Sequence, residues 1–304
     1  MKIFITGATG YIGGSIATKL LEAGHELSGL ARSEEAASAL RKRGIEPVRG
    51  SLQDHGTLRQ AAARVDAVIN CASADNAFVV HGLLPPLYGT GKTFIQTSGS
   101  SVVGTYDEGA FREAVFHEDT PFRPEPEKAT RVAIDESVLA AALKGVRSVV
   151  IRPSLIYGRG LGVDGISVQV PRLIEAARKS GIPRHIGPGE NVWAHVHIAD
   201  LVALYLAALE KAPAGSLFYG EAGEASFKTL AQAIGRMLGQ GERTEDWPIA
   251  EAVEALGPGA HLTFGSNSRV RGDKARGMLG WAPKGPPLME EVERGVYREV
   301  YGKS

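Results

Sequence analysis

Three glycines spaced three apart, Gly7, Gly10 and Gly13, stand where a short apolar run gives way to a helical pattern. Lys2–Thr6 reads as a strand with Ile3 and Ile5 on one face and Phe4 on the other, and a helix is expected over 14–23. In that setting each glycine has a separate role. The first permits the tight turn off the strand, the second leaves the backbone bare where a pyrophosphate must approach, and the third lets helix and strand pack closely. The helix N-terminus adds N–H groups and a partial positive charge that suit phosphates. Gly7, Thr9, Gly10, Tyr11 and Ile12 are therefore expected to hold a dinucleotide.

The ends of the following strands say which dinucleotide. The second ends Leu30-Ala31-Arg32-Ser33. An acidic residue there would bond the ribose 2′-hydroxyl of NAD, whereas an arginine accommodates a 2′-phosphate, so Arg32 and Ser33 point to NADP. Ser51 and Leu52, after the third strand, are expected near the adenine. After the fourth, Cys71, Ala72 and Ser73 are small enough to let a cofactor lie across the strand ends. Cys71 reads as a small buried hydrophobe rather than a redox thiol.

These segments need a scaffold, and the chain supplies one by alternation. Strands are expected at 2–6, 25–31, 46–49, 67–71, 93–97 and 148–152, with helices at 14–23, 34–43, 56–63, 77–88 and 128–143. Pro85-Pro86 should kink or shorten the fourth helix. The runs Val68-Ile69 and Val149-Val150-Ile151 lack alternation, as in strands buried on both faces. The fold class is α/β: a Rossmann-type doubly wound parallel sheet with a smaller C-terminal substrate lobe. The dinucleotide-binding part is placed at 1–157, with a return segment near 190–212, and the lobe mainly at 158–304. In the lobe, helices are expected at 171–180, 200–211 and 226–238, then a loop rich in Gly, Pro and Asn, then a helical cap at 287–301.

Thirty-four basic and 34 acidic residues give 304 residues no net charge, which removes the electrostatic footprint of a nucleic-acid or anionic-membrane binder. The basic cluster Arg41-Lys42-Arg43 reads as a solvated helix end. One cysteine excludes an intrachain disulfide, and no apolar run is long enough to span a bilayer. With a first strand at residue 2 leaving no room for a signal peptide, a cytoplasmic enzyme with a small-molecule substrate is expected, with neither nucleic acid nor membrane as partner and with room for a homodimer.

Thr6-Gly7-Ala8-Thr9-Gly10-Tyr11-Ile12-Gly13, Thr97-Ser98-Gly99-Ser100, Glu118-Asp119-Thr120-Pro121, Arg152-Pro153-Ser154-Leu155-Ile156-Tyr157-Gly158 and Val196-His197-Ile198-Ala199-Asp200-Leu201 occur in that order. In this the chain resembles the extended or atypical short-chain dehydrogenases/reductases of the NAD(P)-dependent epimerase/dehydratase group. The resemblance adds Ser98 and Pro153 to the expected cofactor contacts. It also implies a proton relay of Ser/Thr, Tyr and a Lys four residues after the Tyr, which this chain lacks. Aligned on Thr120-Pro121 and Glu136, the Tyr position falls at Lys128, the Lys position at Val132 and the Ser/Thr position at Gly99.

Other groups must then serve. Ser100 reads as a carbonyl contact or a strand-end turn, and Lys128 as a displaced proton donor, a ribose or phosphate contact, or a solvated first-turn residue. Tyr106 and Tyr157 read as replacement phenols or packing aromatics. Arg131, four residues from both Glu127 and Asp135, is expected in a surface network along its own helix. His81, Trp193 and His195 are expected to face substrate. Trp193 stands where nucleotide-sugar members tend to carry an Arg for the diphosphate, which argues against such a substrate. His195 and His197 alternate along one segment, but no further ligands accompany them, so no metal is expected. The expected function is an NADP-dependent oxidoreductase acting on a small or moderately apolar carbonyl or alcohol with a nonstandard proton donor. A non-catalytic NADP sensor, or an epimerase/dehydratase with tightly held cofactor, is the alternative.

Overall fold

A computed structural model describes residues 1–302. Its central sheet has seven parallel strands: β1 (Lys2–Thr6), β2 (Glu26–Ala31), β3 (Glu46–Arg49), β4 (Ala67–Asn70), β5 (Thr93–Thr97), β6 (Arg147–Pro153) and, after three strands outside the sheet, β10 (Ser216–Gly220). Their order is β10-β6-β5-β4-β1-β2-β3, so the chain reverses direction between β1 and β4. In a doubly wound sheet, ligands bind in the crevice at the carboxyl ends of the strands flanking such a reversal. Every residue of β4 is buried, and every residue of β6 after Arg147, as the unbroken apolar runs predict; β5 is buried throughout as well.

Helices α1 (Tyr11–Glu22), α2 (Glu34–Lys42), α3 (His55–Ala63), α4 (Ala77–Leu83) and α5 (Pro126–Ala140) form the crossovers. The expected fourth helix ends at Leu83, and Pro85–Leu87 is a separate 3₁₀ turn, since proline cannot donate to the helical ladder. The seventh strand, Ser216–Gly220, is not among the expected ones: its single short apolar stretch between Gly215 and Gly220 is too brief to distinguish from a loop in the sequence.

The smaller lobe holds β7 (Leu155–Tyr157), β8 (Arg184–Ile186), β9 (Val192–His197), β11 (Glu224–Ser226) and β12 (Glu245–Trp247), with α6 (Gln169–Ser180) and α8 (Phe227–Leu238). A three-stranded sheet, β11-β9-β7, is its backbone framework. Its core is aromatic: Tyr157, Trp193, Phe227, Trp247, Phe264 and Tyr297 pack together. Between β9 and β10, α7 (Ile198–Lys211) returns to the central sheet and packs against α1. The loop expected after residue 238 contains β12 and helices at Ile249–Leu256, Ala260–Phe264 and Asp273–Leu279. The C-terminal cap is two helices, Leu288–Glu293 and Val296–Tyr301, broken at Gly295. No described helix is long and apolar enough to cross a membrane.

Candidate active site

A cleft of about 660 Å³ opens at the reversal between β1 and β4, lined by the glycine turn and by Leu30, Arg32, Ser33, Leu52, Cys71, Ala72 and Val168. Gly7 lies at φ +73, the left-handed region that glycine occupies without strain. A Cβ on Gly13 would lie 2.4 Å from the Gly7 carbonyl oxygen, so α1 can approach the strand only with glycine there. Gly10 differs: a Cβ there meets only that carbonyl oxygen, at 3.3 Å, and otherwise projects into exposed space. No side chain caps α1 and no acidic residue stands in its first turn. A bare turn with an uncapped helix end is what a pyrophosphate requires, and the residues present fit that group.

Buried polar side chains fix the turn. The Thr6 hydroxyl donates to Asn70 and accepts from the backbone N–H of Cys71 and Ala72, both at 3.2 Å. Asn70 Nδ2 donates to Gln96 Oε1 at 2.8 Å. This chain of amides and hydroxyl ties the ends of β1, β4 and β5. Arg43, expected in solvent, turns inward instead: it donates to the carbonyls of Ala8 (2.9 Å) and Gly14 (2.7 Å) and to Thr18 Oγ1 (2.9 Å). A long cationic side chain thus ties the end of α2 to the carbonyls of the turn and of the first turn of α1. A strap from Gly158 closes on α1: Tyr11 donates to the Gly158 carbonyl at 2.9 Å, and Ser15 Oγ accepts from the Leu161 N–H at 2.9 Å.

Ten of the expected cofactor residues line the cleft: Gly7, Thr9, Gly10, Tyr11, Ile12, Arg32, Ser33, Leu52, Cys71 and Ala72. Ser33 also caps α2, accepting from the Ala36 N–H at 3.2 Å. Cys71 is a free thiol, and burial pushes it up to about 12, so it stays protonated. Ser51, Ser73, Ser98 and Pro153 do not line the cleft. Ser98 is buried, and its hydroxyl donates to Asp135 Oδ2 at 2.8 Å, beside the Arg152 Nε contact to the same oxygen at 2.8 Å. Gly13, Leu30, Ala36 and Val168 line the cleft without having been singled out for it. The first three follow from the turn and strand spacing; Val168, far along the chain, carries no local signal.

Away from the cleft the structure sorts the remaining candidates. Tyr157 is buried, donates to the Pro286 carbonyl at 2.7 Å and stands edge-on to His195 and His197, so it is a packing residue. Trp193 is also buried, with its indole N–H on the Ser266 carbonyl at 2.8 Å. His195 is 8% exposed, and burial lowers its pKa to about 4. Tyr157 serves the lobe's core, while Trp193 and His195 line a small cavity with Ser226, Phe227 and Leu288, separate from the cleft. His81 is exposed on α4 beside His55, with ring centroids 5.8 Å apart, on a groove between α4 and α5 rather than on the cleft. Tyr106 is exposed and bonded to Glu127, which holds its phenol up at about 12, a poor acid near neutral pH. Ser100 is buried, with its hydroxyl on that of Ser268 at 2.8 Å.

Lys128 and Arg131 remain, on the first turns of α5. Lys128 is half-buried, and its ammonium has no hydrogen-bond or ion-pair partner among the described residues. Burial, then the neighbouring Arg131, lowers its pKa. Arg131 does not join a network along its own helix. Its Nε and Nη2 bind Asp75 at 2.8 and 2.5 Å, and its Nη1 reaches Ser101 Oγ at 3.3 Å. The i,i+4 acids are engaged elsewhere, Glu127 by Tyr106 and Asp135 by Arg152.

The profile of the NAD dependent epimerase/dehydratase family matches residues 3–218. An oxidase from an Acremonium species is 32% identical, covering 98% of this chain and 97% of its own length. A Stigmatella aurantiaca ketoreductase of a farnesylated dihydroquinoline oxide is 26% identical over 93% of this chain and 92% of its own. Among solved structures, a UDP-glucose 4-epimerase from Thermotoga maritima superposes with a TM-score of 0.78 at 20% identity, covering 99% of each chain.

Proposed function

The chain belongs to the NAD dependent epimerase/dehydratase family and is an oxidoreductase of it, and from that premise we propose an NADP(H)-dependent enzyme that interconverts a ketone and an alcohol. The observation that carries this reading is the cleft itself: a bare glycine turn with Arg32 and Ser33 at the end of β2, where an acid would favour NAD. When bound there, the nicotinamide supplies or accepts a hydride. The backbone of Gly7 to Gly13 would hold the pyrophosphate, and Arg32 would take the 2′-phosphate. Lys128 then stands as hydrogen-bond donor to the substrate oxygen and as its proton source, because its ammonium is half-buried and unpaired. Ser100 holds the strand-end turn through Ser268. A ketone is favoured over a nucleotide sugar because Trp193 cannot pair with a diphosphate and is enclosed in the lobe. The ketoreductase relative supports the same direction of chemistry. Residues 1–157 with the returning segment would carry the cofactor and the rest mainly the substrate, in the cytoplasm.

The test is oxidation of NADPH and NADH against a panel of aliphatic and aromatic ketones, followed by absorbance. Turnover with NADPH preferred is expected, with an alkaline limb below the ordinary lysine value of about 10.4, since Lys128 must stay protonated. Binding of NADPH without turnover of any carbonyl would favour a sensor instead, a reading helped by both tyrosines being engaged elsewhere.

A further inference from the structure

Arg131 is unused by that scheme, yet it occupies the place from which the relay is missing. A Cβ built on Gly99, the position where the resembling family carries Ser or Thr, would lie 3.2 Å from Arg131 Nη1. The guanidinium therefore fills the notch that glycine leaves. Its side chain is 16% exposed, whereas its carboxylate partner, Asp75, is 57% exposed on the loop after β4. The acid is the outer, solvated member of the pair, and an exposed ion pair exchanges readily for another carboxylate of the same geometry. One turn earlier, Lys128 has no counter-ion of its own, and Arg131 is among the groups that depress it. Of the two acids that act on Lys128, Glu127 is held by Tyr106, so Asp75 is the acid that both cations share.

We propose that Arg131 exchanges Asp75 for the carboxylate of a 3-oxo acid whose ketone faces Lys128. Residues at i and i+3 on a helix have Cβ atoms about 5–6 Å apart, a spacing suited to a carbonyl and a carboxylate separated by one carbon. Planar, bidentate recognition is what an arginine supplies and a lysine does not. The inference rests on the oxidoreductase reading above for the ketone's role, but the carboxylate site stands on binding alone.

The experiment is calorimetric titration of 3-oxohexanoate and its methyl ester into the protein with and without NADP⁺, where no turnover occurs, alongside NADPH oxidation with both compounds. The acid should bind at least about tenfold more tightly than the ester. That preference should fall to about one in Arg131→Met, persist in part in Arg131→Lys and grow in Asp75→Asn, with each variant's fold checked by circular dichroism. Equal binding of acid and ester by the wild type, or a preference untouched by Arg131→Met, overturns the inference. Acid-selective binding without NADPH oxidation keeps the carboxylate site and defeats the oxidoreductase scheme; oxidation without acid preference does the reverse.

Discussion

The glycine turn and the start of α5 are built by different means. At the glycine turn the backbone makes the site: Gly7, Gly10 and Gly13 act by what they lack, and thirteen consecutive residues contain the whole device. At the α5 end side chains make it, and they come from Asp75 after β4, Ser101 after β5 and Lys128 and Arg131 on the helix. The first is laid down by local spacing and braced by Thr6, Asn70, Gln96 and Arg43. The second depends on which of several charged neighbours each side chain meets, so an alignment register can miss it by one position, as Val132 against Arg131 illustrates.

Substitution in the turn should give the largest effect and separate binding from folding. Gly10→Val should weaken NADPH by more than about a hundredfold while the melting temperature stays within a few degrees, because the added atoms enter the cleft and not the core. Gly13→Val should instead fail to fold, its Cβ colliding with fixed backbone. Similar behaviour of the two in calorimetry and thermal melts would break the distinction between a bare surface and a close contact.

Acid should distinguish the lobe, which has a buried imidazole, from the turn, which has no titratable group. His195 has a folded pKa of about 4 against an ordinary 6.5, chiefly through burial, with Glu221 and Glu224 opposing the shift. The unfolded chain therefore binds more protons across that window. His195's contribution is complete above about pH 6.5 and is lost as pH falls toward 4, by roughly 3 kcal/mol. Denaturant melts of His195→Gln should show a flatter pH dependence between these values than the wild type; an unchanged slope would mean that His195 does not carry the acid sensitivity.

Arg32→Ala should cost NADPH about ten- to a hundredfold and leave NADH nearly unchanged, since one charge-assisted contact to phosphate is lost. Equal affinities for the two cofactors in the unaltered protein would contradict it. The smallest effects are expected from Ser100→Ala and Tyr157→Phe. Their hydroxyls serve Ser268 and the Pro286 carbonyl, so turnover should change by less than about threefold, with about 1 kcal/mol of stability lost.

The sequence made the glycine turn legible because strand, turn and helix each leave a local signature there: Lys2–Thr6, the three glycines and Arg32 were all found by spacing. The side-chain contacts that brace the turn, the start of α5 and the lobe are largely hidden. Arg43 looked like part of a solvated cluster, yet it anchors the turn's carbonyls; Ser98 looked like a cofactor contact, yet it joins the buried Asp135–Arg152 pair. Tyr157, Trp193 and His195 share one face of β7 and β9, but which way that face turns is decided by the lobe's packing. Tertiary contacts of charged and aromatic side chains leave no periodic trace along the chain.

With the turn proposed to hold NADPH and Lys128 proposed to complete proton transfer, the two roles should be separable. The most direct measurement is the NADPH affinity and the single-turnover reduction rate of Lys128→Met on a ketone the wild type accepts. Affinity should remain within about twofold, and the rate should fall about 100- to 10,000-fold, the usual loss when a general acid is removed. Wild-type turnover in this variant would contradict the assignment and place the proton's source elsewhere.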